Sequence, residues 1–145
     1  MWFYRSIAGN GWDGKWEVRR KNKIIKKKEG KKMPFIDSKI TGVVLEEKKE
    51  VIKTRFGQAI SLLHKPESYL MVGFSDQYDL FLAGKKLEKG AYVSVSLYGN
   101  ARSEDCENMT QEITHILNEE LEIPERNIYI TYHGIENWGI SGHLL

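Results

Sequence analysis

Apolar residues recur at helical spacing in two stretches of this 145-residue chain. The first stretch runs from Glu46 to Leu63, and the glutamates at its start suit the positive end of a helix dipole. Its apolar stripe comprises Val51, Ile52, Phe56, Ala59, Ile60 and Leu63. Proline cannot continue a helix, so we expect this one to end at Pro66.

The second helical stretch follows Ser103, a residue type that caps helices, with Glu104 and Asp105 in the expected first turn. Its apolar stripe comprises Cys106, Met109, Ile113, Ile116, Leu117 and Leu121. Pro124 is expected to end this helix. Because Cys106 lies on the apolar stripe, we predict a buried and unreactive thiol.

Residues with a strand period of two surround both helices and form an internal repeat at an offset of 58 positions, as between residues 34 and 92. Residues 34–40 align with residues 92–98, and Lys65-Pro66-Glu67 aligns with Ile123-Pro124-Glu125. The apolar residues of the later strands are also in phase: Leu70, Val72 and Phe74 against Ile128, Ile130 and Tyr132. Each half therefore has the order strand, helix, strand.

Two β-α-β units predict an α+β fold, in which a four-stranded mixed sheet carries both helices on one face. The other face of that sheet has no helix layer. An uncovered sheet face favours association with further copies of the chain, so we expect an oligomer.

The charge of the chain is divided between two unequal parts. Residues 1–33 contain 11 Lys and Arg against 3 Asp and Glu, whereas residues 34–145 contain 11 against 17. The net charge of +2 therefore combines a strongly basic leader with a mildly acidic domain. Basic tails of this kind bind nucleic acid or anionic lipid in many proteins, an alternative that stays open for the leader. For residues 34–145 we expect no nucleic-acid binding.

The Met33-Pro34 pair favours another interpretation of the leader. Methionine aminopeptidase removes an initiator methionine before proline, so a chain started at Met33 would begin at Pro34 with a free secondary amine. Lys28-Glu29-Gly30 back-translates to codons that can contain AAGGAGG, a ribosome-binding sequence, two lysine codons before Met33. We therefore expect residues 1–33 to be either a disordered basic leader or translated upstream sequence, followed by a domain at 34–145.

Other kinds of site find little support in the sequence. The histidines, His64, His115, His133 and His143, lack the spacing of metal ligands, and the single cysteine has no metal partner near it. We expect no metal and no cofactor. One cysteine excludes an internal disulfide and fits a reducing cytoplasm. No apolar run approaches the length that spans a membrane, so no membrane partner is expected.

Three segments carry a family resemblance: MPFIDSKIT at Pro34, HKPESYLMVGFSD after the first helix, and ERNIYITY after the second. They resemble the macrophage migration inhibitory factor family, and more closely its bacterial members, the phenylpyruvate tautomerases. The resemblance covers residues 33–145 and none of residues 1–32. It implies a homotrimer whose sheets surround a central channel, with active sites between subunits and keto–enol tautomerisation by an N-terminal proline.

The resemblance also implies roles for particular residues. Pro34 matches the catalytic proline, and Lys65 matches the lysine that binds the substrate carboxylate. Tyr98 matches the position whose backbone N–H binds the same carboxylate, and Tyr129 matches a tyrosine from the neighbouring subunit. The other positions of the substrate pocket are Phe35, Tyr69, Thr131 and Trp138.

The sequence departs from the family pattern at three places. Thr131 stands where mammalian members have asparagine, so the polar side chain is shorter. Ile140 and Ser141 stand where bacterial relatives often have Trp-Asn, which affects specificity for an aromatic ring. Residues 91–94, AYVS, replace the CxxC of the mammalian cytokine, so thiol–disulfide activity is not implied.

Each candidate residue also has a purely structural interpretation. Proline is tolerated at the start of a strand, and a lysine before a proline is typical of a solvated turn. Tyr129 suits packing in an alternating strand, and Trp138 suits the edge of a sheet. The resemblance favours the functional interpretation above all for Pro34 and Lys65.

We therefore expect a cytoplasmic homotrimeric tautomerase of aromatic α-keto acids such as phenylpyruvate. A proline amine whose pKa is lowered by an apolar pocket and a nearby cation is suited to take a carbon-bound proton. The alternative is a cytokine-like binding protein without enzymatic activity. That alternative includes non-classical release and a host receptor that the sequence does not identify.

Overall fold

The computed structural model describes residues 33–145; the basic leader, residues 1–32, lies outside the described residues. The strands of the described part are β1 Pro34–Ile40, β2 Met71–Ser75, β3 Phe81–Leu82, β4 Lys85–Lys86, β5 Ala91–Tyr98, β6 Ile128–Ile135, β7 Gly139–Ile140 and β8 His143–Leu144. Its helices are α1 Glu46–Ala59 and α2 Ser103–Leu121, with 3-10 turns at Ile60–Leu63, Glu67–Tyr69 and Glu125–Asn127. These elements build one main sheet, two small hairpins and a helix layer.

The main sheet has the strand order β2-β1-β5-β6. β1 pairs in parallel with β2, and β5 pairs in parallel with β6. The two halves meet where β1 and β5 pair in antiparallel orientation. The predicted α+β fold, two β-α-β units in a four-stranded mixed sheet, is therefore confirmed. The hairpins β3–β4 and β7–β8 lie outside this sheet and were not predicted.

Both helices cover the same face of the sheet, and the hydrophobic core lies between the two layers. Every second residue of β1 and β5 is buried there. The largest buried side chains of the core are Ile36, Ile40, Ile52, Phe56, Ile60, Val93, Leu97, Met109, Ile113, Ile116, Leu117 and Ile123. Within the described part of the chain, this core is drawn from residues 36–128.

The residue that follows each helical segment has the same backbone conformation in both halves. His64 and Glu122 lie 58 positions apart and both adopt left-handed backbone, with φ of 58° and 55°. The helical segments end at Leu63 and Leu121, three residues before Pro66 and Pro124, rather than at the prolines. In a residue with a Cβ, left-handed backbone costs about 1–2 kcal/mol. Contacts in the surrounding turn have to offset this cost.

The start of α2 differs from the sequence prediction. Ser103 is the first residue of the helix and not its cap, and no side chain caps the helix N-terminus. The preceding residue, Arg102, is extended and its guanidinium hydrogen-bonds the carboxylate of Asp105 at 3.3 Å. Arg102 and Asp105 thus form a charged pair at the start of the helix.

The predicted apolar stripes of the helices are buried except at three positions. Val51 is 42% exposed because it lies one position, and so about 100°, from the fully buried Ile52. Cys106 and Leu121 are partly buried at the edge of the core. Burial raises the pKa of the Cys106 thiol, which keeps it protonated and agrees with the predicted unreactive thiol.

Ser38 is a polar residue inside the core. It lies on the core face of β1 between Ile36 and Ile40 and is fully buried. Its hydroxyl has no hydrogen-bond partner among the described residues. Burying a hydroxyl without a partner costs about 1–3 kcal/mol, so this position lowers the stability of the domain.

Replacing Ser38 by alanine removes the unpaired hydroxyl without changing the β1 ladder. We expect Ser38→Ala to raise the free energy of unfolding by about 1 kcal/mol at an unchanged m-value in urea titrations. Ser94→Ala, a half-buried site on the other sheet face, is the matched control and should change stability by less than about 0.5 kcal/mol. A loss of stability in Ser38→Ala beyond that of the control would contradict the unpaired hydroxyl.

Candidate active site

A cleft of about 660 Å³ opens where β1 begins. Three segments line it: residues 33–35, residues 68–71 in the turn leading into β2, and residues 137–140 after β6. Most of its lining side chains are apolar or aromatic, namely Met33, Pro34, Phe35, Tyr69, Leu70, Met71, Trp138 and Ile140. The cleft is therefore suited to an apolar or aromatic ligand of modest size.

The cleft brings together four of the residues singled out in the sequence: Pro34, Phe35, Tyr69 and Trp138. The Phe35 ring lies against Gly73 on β2. A Cβ added at Gly73 would lie 3.3 Å from this ring. The glycine thus allows the ring to lie close against the sheet. The aromatic lining is fixed by sheet register, with Phe35 paired to Met71.

The lining of the cleft contains no acidic, histidine, lysine or arginine residue among the described positions. Its polar side chains are Ser68, Tyr69 and Asn137. Acid–base chemistry near neutral pH in this cleft would therefore have to use a main-chain group, because neither a phenol nor an amide is an effective base there. The main-chain nitrogen in the cleft with that capacity, when free, is the secondary amine of Pro34.

Tyr98 approaches the cleft through its main chain. Its N–H donates a hydrogen bond to the carbonyl oxygen of Met33 at 3.0 Å. This bond continues the β1–β5 ladder by one step beyond the pair of Pro34 and Leu97. The N–H for which the sequence predicted a ligand role is thus bonded to the residue that precedes Pro34.

Lys65 is half-buried in the turn between the 3-10 segments, directly after the left-handed His64. It does not line the cleft itself, although Ser68 and Tyr69 a few residues later do. The turn is tied to α2, because the His64 imidazole lies 3.3 Å from the carboxylate of Asp105. The position of Lys65 therefore depends on contacts between this turn and the start of α2.

Tyr129 and Thr131 lie elsewhere, on β6 and on the sheet face without helices. Tyr129 is 60% exposed and lines a second cleft of about 330 Å³, together with Lys39, Tyr78 and Phe81. The Thr131 hydroxyl lies 2.8 Å from the Tyr92 hydroxyl and 3.0 Å from the His133 ring. Within one chain these two residues are therefore not part of the cleft at Pro34.

The sequence analysis missed several residues of the cleft. Met33 and Met71 were not singled out, and neither were Ser68, Leu70 and Asn137. The repeat pattern could have indicated Met71, because Met71 is the first residue of β2, the strand that pairs with β1. Among the described residues, no cluster of three or more His, Cys, Asp or Glu side chains is arranged to hold a metal ion.

Residues 33–143 match the sequence model of the family described as Macrophage migration inhibitory factor (MIF). The chain belongs to this family. No curated protein matches it in sequence. Among solved structures it resembles MIF2 of Leishmania major, with 26% identity and a TM-score of 0.73, over 78% of this chain and 97% of that one.

Two other solved structures share the MIF fold with this chain. A MIF homologue from Prochlorococcus marinus has 20% identity and a TM-score of 0.69, over 76% of this chain and 97% of that one. A fused 4-OT, described as an asymmetric trimer, has 13% identity and a TM-score of 0.66, over 76% of this chain and 94% of that one. These three structures consist almost entirely of the region that matches this chain.

The described charges predict how acid affects the MIF domain. The Arg102 guanidinium, followed by the nearby His64, lowers the pKa of Asp105 below its ordinary value of 3.8. A carboxyl with a lowered folded-state pKa stabilises the fold at pH above the unfolded value. This contribution is lost as the pH falls below about 4, through the folded-state pKa.

We expect Asp105→Asn to be less stable than the parent at pH 6 and to show a smaller loss of stability between pH 5 and pH 2.5, measured by urea titration. Glu104→Gln, an exposed neighbour in the same turn, is the matched control and should keep the acid dependence of the parent. Identical pH profiles for parent and Asp105→Asn would refute the role of this carboxylate.

Proposed function

We propose that the domain beginning at Pro34 is a keto–enol tautomerase of aromatic α-keto acids such as phenylpyruvate, with the Pro34 amine as general base. One observation carries the proposal: an apolar, aromatic cleft surrounds Pro34 and offers no side-chain base among its described lining residues. Membership of the MIF family, among whose structural neighbours are tautomerase-type proteins such as the fused 4-OT, supports the reaction class.

The chemistry follows from the properties of the amine. Pro34 N would accept a proton from the carbon next to the ketone, and the electrons of that C–H bond would form the enolate double bond. The π electrons of the carbonyl group move to the oxygen, and the proton taken up by Pro34 N is then returned to that oxygen, which completes the enol and restores the free amine. An apolar lining of Phe35, Tyr69 and Trp138 disfavours the charged ammonium and so lowers the amine pKa towards neutrality.

In this proposal the substrate is held at both of its ends. Its aromatic ring would pack among the aromatic side chains of the cleft, and Lys65 would approach from the adjacent turn to bind the carboxylate. A cation near the carboxylate also stabilises the negative charge that grows on the enolate. The N–H of Tyr98 is a second donor for the same carboxylate.

The reaction requires that Pro34 be the first residue. Within the 145-residue chain, its nitrogen belongs to the peptide bond with Met33 and has no lone pair available for proton transfer. We therefore propose that translation starts at Met33 and that the methionine is removed. A cytoplasmic location fits a chain with one cysteine.

We propose a homotrimer as the working assembly. The main sheet has one face without helices, and the exposed Tyr129 and Phe81 form an apolar surface on the second cleft. A neighbouring copy that covers this surface would bring Tyr129 towards its own cleft, and Thr131 would follow on the same strand. A fused 4-OT of similar fold is described as an asymmetric trimer, which supports the proposal of a trimer.

A second candidate is a non-enzymatic, cytokine-like binding protein. The bonding of Thr131 favours it, because its hydroxyl is already engaged by Tyr92 and His133 and not turned to a ligand. A protein that keeps residues 1–33 belongs to this class, since its Pro34 nitrogen is an amide.

The amine can be tested by comparing three proteins in a phenylpyruvate tautomerase assay. We expect activity in chain 34–145, and none in chain 1–145. Pro34→Gly in chain 34–145 should lower kcat/KM by about 10²-fold or more, because a general base contributes about 10²–10⁴-fold. Equal activity of the long and short chains would refute Pro34 as the base.

Lys65 should act mainly on substrate binding. We expect Lys65→Ala in chain 34–145 to raise KM by about tenfold or more, because a hydrogen bond to a charged group contributes about 1.5–3 kcal/mol, and to change kcat less. Lys53→Ala, an exposed lysine on α1, is the matched control and should leave both constants unchanged. An unchanged KM for Lys65→Ala would contradict carboxylate binding.

A further inference from the structure

Met33 borders the cleft, and its carbonyl group is part of the β1–β5 ladder. The residue is only 7% exposed and lines the cleft beside Pro34. Its carbonyl oxygen accepts the Tyr98 N–H at 3.0 Å. The next pair of the same ladder joins Pro34 to Leu97, so sheet register holds the Met33 carbonyl in place.

Covalent geometry places this hydrogen bond directly beside the proposed base. The Met33 carbonyl oxygen is separated from the Pro34 nitrogen by a single carbon atom. An oxygen from a ligand that accepts the Tyr98 N–H would therefore have to occupy the place that the Met33 oxygen now fills. A carboxylate and the Met33 carbonyl cannot use this donor at the same time.

We propose that Met33 is an internal plug of the cleft, which blocks carboxylate binding as well as proton transfer. This inference rests on the proposed function and adds its regulation. Removal of residue 33 has two effects at once: the proline amide becomes an amine, and the Tyr98 N–H becomes available. A free N–H favours an anionic acceptor over a neutral one, because a hydrogen bond to a charged group is stronger than one to a neutral group.

The plug differs from the simpler view that only the amine matters. In the simpler view, a residue before Pro34 abolishes catalysis and leaves ligand binding unchanged. With the plug, any residue at position 33 weakens carboxylate binding, whatever its side chain, because the blocking group is the main-chain carbonyl. Binding therefore has to be measured apart from turnover, with a carboxylate that cannot enolise to a product.

The experiment compares three proteins: chain 1–145, chain 34–145, and a Met33→Ala chain that starts at residue 33 after its initiator methionine is removed. The third protein has a carbonyl at position 33 but neither the leader nor the methionine side chain. The probe is phenylacetate, an unreactive aromatic carboxylate. In both short chains Trp138 is the single tryptophan and lies in the cleft, so its fluorescence reports binding.

The direct readout is the backbone amide of Tyr98 in ¹⁵N-labelled protein. We expect its hydrogen exchange to be about fivefold or more faster in chain 34–145 than in the other two proteins, because the hydrogen bond to the Met33 carbonyl is missing there. The Ser96 amide, opposite Phe35 on the next part of the ladder, should stay protected in all three. Phenylacetate should shift the Tyr98 resonance and slow its exchange in chain 34–145.

Phenylacetate should bind the Met33→Ala chain about tenfold or more weakly than chain 34–145, as expected for loss of a charge-assisted hydrogen bond. Equal dissociation constants, or equal Tyr98 exchange in all three proteins, would overturn the plug. The plug would also be overturned if chain 34–145 turned over phenylpyruvate while phenylacetate neither shifted the Tyr98 resonance nor slowed its exchange. If chain 34–145 shows the Tyr98 response and no tautomerase activity, the plug stands and the proposed function fails.

Discussion

The antiparallel pairing of β1 with β5 is the constraint on which the rest of the structure depends. It is the ladder that joins the two β-α-β halves in one sheet, over Pro34–Ile40 and residues 91–97. One step beyond it, Met33, the residue before Pro34, accepts a hydrogen bond from the Tyr98 N–H. A shift of one residue in this register would turn the buried Ile36 and Ile40 to the bare sheet face and move Pro34 out of its cleft.

The proposed chemistry of the cleft depends on Pro34 at the start of β1. The described lining has no ionisable side chain apart from the Tyr69 phenol. Apolar surroundings that would raise the pKa of a carboxyl lower that of an amine, and so suit a neutral base. Packing and reactivity therefore have the same physical origin at this site.

Most of the fold was predictable because the same pattern of strand, helix and strand occurs twice in the sequence. The constant offset between the halves identified the sheet, and the helical stripes identified the covered face. Short-range chemistry was less predictable. The Ser103 cap was wrong because Ser103 is already the first residue of the helix and the extended residue before it is Arg102. The hairpins at residues 81–86 and 139–144 escaped notice because strands of two residues have no measurable period.

The candidate site was predictable only in part. The aromatic residues near Pro34 were found through the family resemblance, and the structure places Phe35, Tyr69 and Trp138 in one cleft. The bond from Tyr98 to Met33 needed the register of β1 and β5, which no local pattern gives. The separation of Tyr129 from this cleft depends on which sheet face each β6 residue occupies.

The two halves share a backbone but differ at the equivalent positions of the site. Lys65 corresponds to Ile123, which is buried in the core, and Pro34 corresponds to Tyr92 in the middle of the chain. Gene duplication can copy a strand, a helix and a left-handed turn, but it cannot copy a terminus. Under the proposed function, such a protein therefore has one catalytic centre for every two structural repeats, since only the first repeat begins at a free amino terminus.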